Sequence, residues 1–433
     1  MTTFTSKTSK TSKTSKSGRS SGASTAHDFD HAGGEDSMLI GEALIATRDG
    51  LIGVESVQVT PPSAGELPTS YDPAKRLFRL SDSERDAVVK AELAETMRVC
   101  VTKEILGTGI PEKPGTEGPK KPGTAIPETV EVQTLDHGQN GTMQPVARIT
   151  RPQIAEFQAA LELVAAHADL REDRLPEIHL QMSDLLSFFG SVTPLQPAGY
   201  RKTLDMLGSA LDFGTLMVQR VKLELGCPRP ELLSPQLQPV IQTPSHGSFP
   251  SGHATQAFLL AELLVQLRFP KVAAKITQAL MSDGSDTQDG RRRNIEDVLK
   301  GESKSVPHIY RLAARIAINR TVAGVHYPAD SAAGALLGIS LARLLVARVK
   351  HRDPTETGAA LGFAFAGGQY TELDPNKVPV PRNFHMQELL RLITQANQGT
   401  SVASILQVAD PEPARLFGAL WDKAKAEWEE RWS

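Results

Sequence analysis

Cysteine is almost missing from this chain of 433 residues. Its two cysteines, Cys100 and Cys227, show neither metal-ligand spacing nor a redox pairing, which excludes a disulfide-stapled scaffold and a thiolate metal site. They read as free thiols. Aromatic residues make up only 5% of the chain against 40% hydrophobic residues overall, a balance that suits a helical protein better than a β-sandwich. The net charge is only -3, so nothing in the bulk electrostatics points to nucleic acid or an anionic membrane, and any anion site must be local. The first 26 residues lack the apolar core of a secretory signal. The best apolar run, "AAGALLGISLARLLVARV", is interrupted by Arg343, so no membrane-spanning segment is expected. The expectation is a soluble, cytoplasmic protein, with self-association left open.

What is present falls into blocks. The opening "SKTSKTSKTSK" cannot bury anything, so residues 1–36 are expected to form a disordered tail. A helical segment over 37–106 follows, then a Pro/Gly-rich linker or loop over 107–128, where KPGT occurs at Lys113 and Lys121. Three-and-four apolar spacing dominates the described blocks and predicts helices in "SDSERDAVVKAELAETMRVCVTKEIL", "RPQIAEFQAALELVAAHADLRED", "AGYRKTLDMLGSALDFGTLMVQRVKLELG", "GHATQAFLLAELLVQLRF" and "ADSAAGALLGISLARLLVARV". Period-two alternation is scarce, and only "MLIGEALIA" and "LIGVESVQVT" suggest small strands. The fold class expected is mainly α, a helical bundle, with its core over 150–350 and a helical segment over 351–433 packing on it. A polar insertion over 282–307 interrupts the core, and its Arg291–Arg293 run reads as a solvated loop face.

Binding a tetrahedral oxyanion takes fixed cations, backbone N–H groups at a helix start and, for chemistry, a nucleophile or proton donor. Three stretches supply these parts. In "KLELGCPRP", Lys222 precedes Arg229 by about two helical turns, so a helix ending near Gly226 sets both cations on one side. Pro228 and Pro230 then stop the helix and stiffen the guanidinium. In "HGSFPSGHATQAF", Ser251 is an N-cap type and Gly252 lets a ligand approach the backbone, so the helix start is an anion seat faced by His253. In "NRTVAGVHYPAD", Arg320 adds a third cation, and Asp330 follows His326 at a spacing that brings a carboxylate to one ring nitrogen. The same triplet also reads blandly, with Asp330 as a helix cap and His326 on the surface.

Taken in this order, Lys-x6-Arg-Pro, Pro-Ser-Gly-His and Arg-x5-His-x3-Asp resemble the signature of the superfamily of type 2 phosphatidic acid phosphatases (PAP2) and vanadium-dependent haloperoxidases. The motifs run from Lys222 to Asp330. The resemblance implies the helical fold of that superfamily, with phosphate or vanadate cradled by Lys222, Arg229, Arg320, the Ser251 hydroxyl and the Gly252 N–H. It implies His326 as phosphoryl nucleophile or vanadium ligand, Asp330 behind it, and His253 as acid/base. Two departures stand out: Asn319 where the family usually has serine, and a long gap between the second and third motifs.

One cradle serves two chemistries. His246, five residues before Ser251, resembles the second histidine of vanadium bromoperoxidases, whereas Gln219 matches neither the tryptophan of the chloroperoxidases nor the arginine of the bromoperoxidases. The sequence expectation is therefore a bromoperoxidase-like enzyme with vanadate as cofactor. Its partners would be hydrogen peroxide, bromide or iodide, and a small organic acceptor, and Lys222 would polarise the peroxide. The alternative is a soluble PAP2-type acid phosphatase working through a phosphohistidine. A third reading, from another class, is a non-catalytic helical scaffold that keeps an anion site.

Overall fold

The computed structural model describes residues 73–101, 129–138, 141–281, 305–353, 359–376, 378–396 and 402–429, with the short pieces 45–47, 295, 297–298 and 355–356. The tail 1–36, the stretch 107–128, Arg291–Arg293, "LIGVESVQVT" and most of "MLIGEALIA" lie outside the described residues.

Helix α1, Asp82–Glu95, starts in a capping box: the Glu84 N–H donates to Ser81 Oγ while Ser81 N–H donates back to Glu84 Oε2. The helical reading of the next residues is corrected here. Met97–Val101 form strand β1, because Val99 and Val101 are β-branched and the segment finds a partner in β2, Thr129–Leu135. Strand β3, Met143–Thr150, follows. The predicted helix after Arg151 is broken into α2 (Ile154–Ala159), α3 (Leu161–Ala166) and α4 (Arg171–Leu180), and α5 (Leu186–Val192) comes next. The long helix α6, Arg201–Leu225, stops where Gly226 takes a left-handed conformation (φ 54°) and its N–H returns to the Lys222 carbonyl. One turn, α7 (Pro230–Leu233), leads to α8 (Gly252–Arg268), α9 (Pro270–Met281), α10 (Ser305–Val322) and α11 (Pro328–Lys350). The chain ends through β4 (Ala360–Ala366), β5 (Thr371–Leu373), β6 (Pro379–Pro381), α12 (Met386–Thr394), β7 (Ala403–Val408) and α13 (Arg415–Glu429).

The expectation of a mainly α helical bundle is thus corrected to a largely helical fold that also carries a five-stranded sheet in the order β1-β2-β3-β4-β7. All neighbours in it are antiparallel except β3 and β4. Alternation was a poor guide because β2 and β4 are buried along nearly their whole length, so both faces are apolar or paired. The sheet lies against α11, and the Phe363 N–H at its centre donates to Ser340 Oγ at 3.0 Å. The two thiols are free, Cys227 buried and Cys100 half-buried on β1.

Helices α8 and α11 are buried nearly all round and form the centre of the molecule. They cross backbone to backbone: a Cβ at Gly334 would lie 2.5 Å from the Ser251 carbonyl, and one at Gly338 2.3 Å from that of Thr255. This crossing brings the start of α8 to the start of α11. By length and composition α11 is apolar enough to cross a bilayer, against the expectation that no such helix exists; its most apolar window is wholly buried inside the protein. Its two arginines point inward, with Arg343 Nε donating to Glu262 Oε1 at 2.9 Å and Arg348 Nε to the Glu412 carbonyl at 2.8 Å.

Candidate functional site

The predicted site residues sit at the ends of elements or in the short connections between them, where the chain can turn a side chain inward without breaking a helix. Lys222 is in the last turn of α6, Arg229 is the N-cap of α7, Ser251 caps α8 and Arg320 is in the last turn of α10. His326 lies in the α10–α11 connection and Asp330 in the first turn of α11.

The contacts join them into one cluster. Lys222 Nζ donates to the carbonyls of Gly247 (2.7 Å) and Ser248 (2.8 Å), which ties it to the loop entering α8. Its Cε lies 4.0 Å from where a Cβ on Gly252 would be, so its side chain passes the helix start. Arg229 Nη1 donates to the Val325 carbonyl (2.7 Å) and to His326 Nε2 (3.1 Å). Its Nε donates to the His246 carbonyl at 3.1 Å, and its Nη2 and the Gly247 carbonyl both lie 3.1 Å from His246 Nδ1, which can bond only one of them at a time. Asp330 Oδ2 accepts from His326 Nδ1 at 2.8 Å and from the Tyr327 N–H at 3.1 Å. The carboxylate therefore holds the histidine and caps α11 at once, and His326, only 3% exposed, is no surface residue. The Ser251 N–H donates to the Asp330 carbonyl at 2.9 Å, which locks the two helix starts together. Ser251 Oγ accepts from the Ala254 N–H, so its own proton is free to be donated.

These bonds fix the tautomer of His326. A guanidinium only donates, so Nε2 accepts; Nδ1 then carries the proton and gives it to Asp330. Burial, with Arg229 and Lys222 beside it, holds the His326 pKa well below the ordinary imidazole value. Burial pushes Asp330 up to about 7, against the pull of Lys222 and of the Tyr327 N–H. His326 thus presents an unprotonated Nε2 among cations.

The third cation has a different neighbourhood. Arg320 Nη2 donates to the Ile178 carbonyl and to Gln181 Oε1, both at 3.1 Å. Its Nε and Nη1 are buried with no hydrogen-bond partner among the described residues. No carboxylate pairs with it there, and burial alone lowers its pKa to about 10. His253 Nε2 lies 3.1 Å from the Gln181 carbonyl, which can only accept, so Nε2 carries the ring proton. Burial first, then Arg320, hold His253 well below the ordinary imidazole pKa, leaving it neutral. His246 is lowered to about 4, by burial and then by Lys222.

All the predicted residues therefore converge, and the buried carboxylate of Asp330 acts on Lys222 and Arg229, while Arg320 pairs with none among the described residues. This excess of positive charge and donors suits a compact oxyanion, and the orphaned Nε and Nη1 of Arg320 fit phosphate or vanadate equally. Asn319 does not face the cradle: its Nδ2 donates to Glu177 Oε2 and Gln181 Oε1 at 3.1 Å, and its Oδ1 accepts from Arg174 at 3.0 Å. Gln181 was missed by the sequence reading, since it lies on α4's end with no spacing that links it to the motifs. A large cavity elsewhere, lined by Gln266, Pro270, Lys350 and Trp421, includes no residue of the three motifs.

Comparison with known proteins reaches the same stretch of chain. None of the curated proteins matches. Among solved structures, the chain is similar to a transmembrane PAP2 type phosphatidylglycerolphosphate phosphatase from Bacillus subtilis. The identity is 19% and the TM-score 0.29, over 44% of this chain and 84% of that one. The model of the PAP2 superfamily matches residues 206–353, which contain every motif residue from Lys222 to Asp330. Residues 206–353 are a PAP2 superfamily domain.

Proposed function

We propose that this site hydrolyses phosphomonoesters through a phosphohistidine on His326. The observation that carries the reading is the orientation of that ring: Asp330 holds its Nδ1 proton while Nε2 is unprotonated and lies against Arg229. Substrate phosphate is taken by the free donors of Arg320, by Lys222, by Ser251 Oγ and by the N–H groups opening α8. Arg229 Nη1 exchanges Nε2 for a phosphate oxygen, and the Nε2 lone pair attacks phosphorus as the ester P–O bond breaks. Asp330 stabilises the positive ring that results. The bound dianion sets a negative charge beside His253 that works against both the burial and the Arg320 charge depressing it, so His253 gains a proton and delivers it to the leaving oxygen. Neutral again, it takes a proton from water, whose oxygen attacks phosphorus as the N–P bond breaks, and phosphate leaves.

The test is an aryl phosphate assay together with trapping of an acid-labile, alkali-stable phosphoenzyme. Both are expected in wild type and lost in His326→Ala. Hydrolysis without any phosphoenzyme would refute the covalent route, and absence of hydrolysis the reading itself. We read α11 as a core helix of a soluble enzyme, since protein covers it on every side.

A second reading, vanadate-dependent oxidation of bromide or iodide, is favoured by one observation: His246 Nδ1 lies 3.1 Å from Arg229 Nη2 and so adds a second imidazole to the cradle. Lys222, Arg229, Arg320, Ser251 and Gly252 would hold vanadate, with His326 Nε2 as its ligand. Bound vanadate supplies an electrophilic centre that activates hydrogen peroxide toward halide. Bromination of an activated diketone with vanadate, peroxide and bromide, without phosphatase activity, would favour this reading.

A further inference from the structure

We infer that Gln181, outside the three motifs and outside residues 206–353, positions both the proton carrier His253 and the anion-holding Arg320. The inference rests on the oxyanion reading of the site. Gln181 follows the last residue of α4 and is 1% exposed. Its main-chain carbonyl accepts from His253 Nε2, and its side-chain Oε1 accepts from Arg320 Nη2 and Asn319 Nδ2, each at 3.1 Å.

Two donors on one amide oxygen settle which way the amide faces. Oε1 is turned to Arg320, and Nε2 is left as a buried donor without a partner among the described residues. Leaving it so costs stability, and an amide at this spot that served packing alone could be apolar. Asn319 contributes the second donor, so the departure from the family's serine here braces Gln181 instead of touching the anion. Helix α4 is itself anchored. Glu177 takes two bonds from Arg315 (2.8 and 2.6 Å), while Arg171 donates to the carbonyls of Val322, Leu237 and Gln238. Gln181 thus transmits a rigid reference to both groups, and the imidazole that moves protons is set in register with the guanidinium that receives the anion.

The test uses full-length protein, with inorganic phosphate and orthovanadate binding measured by titration calorimetry and the His253 ring followed by NMR. Gln181→Ala keeps the carbonyl but frees Arg320, and phosphate affinity falls about tenfold, the value of one lost charge-assisted constraint. Gln181→Glu is nearly isosteric and sets a carboxylate against Arg320, so affinity falls further, about a hundredfold. The new charge also raises the His253 titration midpoint, which checks that position 181 lies against that ring. Asn319→Ser shifts affinity a few-fold in the same direction and is not additive with Gln181→Ala. Should all three variants bind both anions like wild type with an unmoved His253, the inference is overturned. Should wild type bind neither anion, the oxyanion reading has failed instead.

Discussion

Replacing Arg320 with methionine should leave the free protein about as stable as before, or more so, while abolishing its response to phosphate. The guanidinium is 1% exposed, pairs with no carboxylate among the described residues, and is held at about 10 instead of the ordinary 12.5 by burial alone. At about 1.4 kcal/mol for each pKa unit, keeping it charged costs the folded state about 3 kcal/mol. Because the folded pKa of this base is lowered, the cost applies at every pH below about 10 and is relieved only above it. Methionine removes that cost, fills most of the volume, and strands the Ile178 carbonyl, a loss of about 1–3 kcal/mol. Gln181 Oε1 keeps its bond from Asn319. The balance runs from no change to about 2 kcal/mol of added stability.

Wild type in phosphate at a hundred times its Kd should gain about 3 kcal/mol by mass action, and the variant nothing. Urea unfolding at pH 7, with and without phosphate, reads both numbers. A variant that loses more than about 2 kcal/mol without phosphate, or that keeps the phosphate response, would refute the claim that Arg320 is a cation waiting for an external anion.

Three further outcomes are expected. Asp330→Asn removes the charge that supports a positive His326 ring but also one negative charge from the cluster, so phosphate binds at least as tightly while phosphoenzyme formation slows by about 10²–10⁴, read by rapid quench. His246 should titrate near 4 by NMR and move upward when phosphate binds; its depressed pKa gives stability that is intact above pH 6.5 and lost as pH falls toward 4. A free-protein midpoint near 6.5 would refute its placement beside Lys222 and Arg229. Gly338→Val drives a Cβ to 2.3 Å from the Thr255 carbonyl, so denaturant unfolding should show a loss of about 1–3 kcal/mol together with weaker phosphate binding.

The motif residues were legible because they occupy helix ends, where sequence chemistry is local. A proline after Arg229, a serine before Gly252 and an aspartate four residues after His326 each announce a boundary and a cation or ring together. Gln181 had no such marker. It reaches Arg320 and His253 only because the last turn of α4 packs under α10, a contact between residues more than 70 positions apart. The sheet was hidden for a different reason. β4 reads ALGFAFA, with no polar residue to alternate with, and on β2 the alternation of Val130 and Val132 with Glu131 and Gln133 runs over only a few residues, so no strand-length pattern stood out.

That difference between local and distant signals also bears on how the site is held. The nucleophile precedes α11 and the anion seat opens α8, yet the two are joined where the Ser251 N–H meets the Asp330 carbonyl and Gly334 lets the chains approach. A shift of α11 along α8 therefore moves His326 and the α8 N–H groups relative to each other, with no slack to absorb it, since both helices are buried nearly throughout. A substitution at Gly338, one turn beyond Gly334, should act on anion binding through this joint alone, although it touches none of the residues that hold the anion.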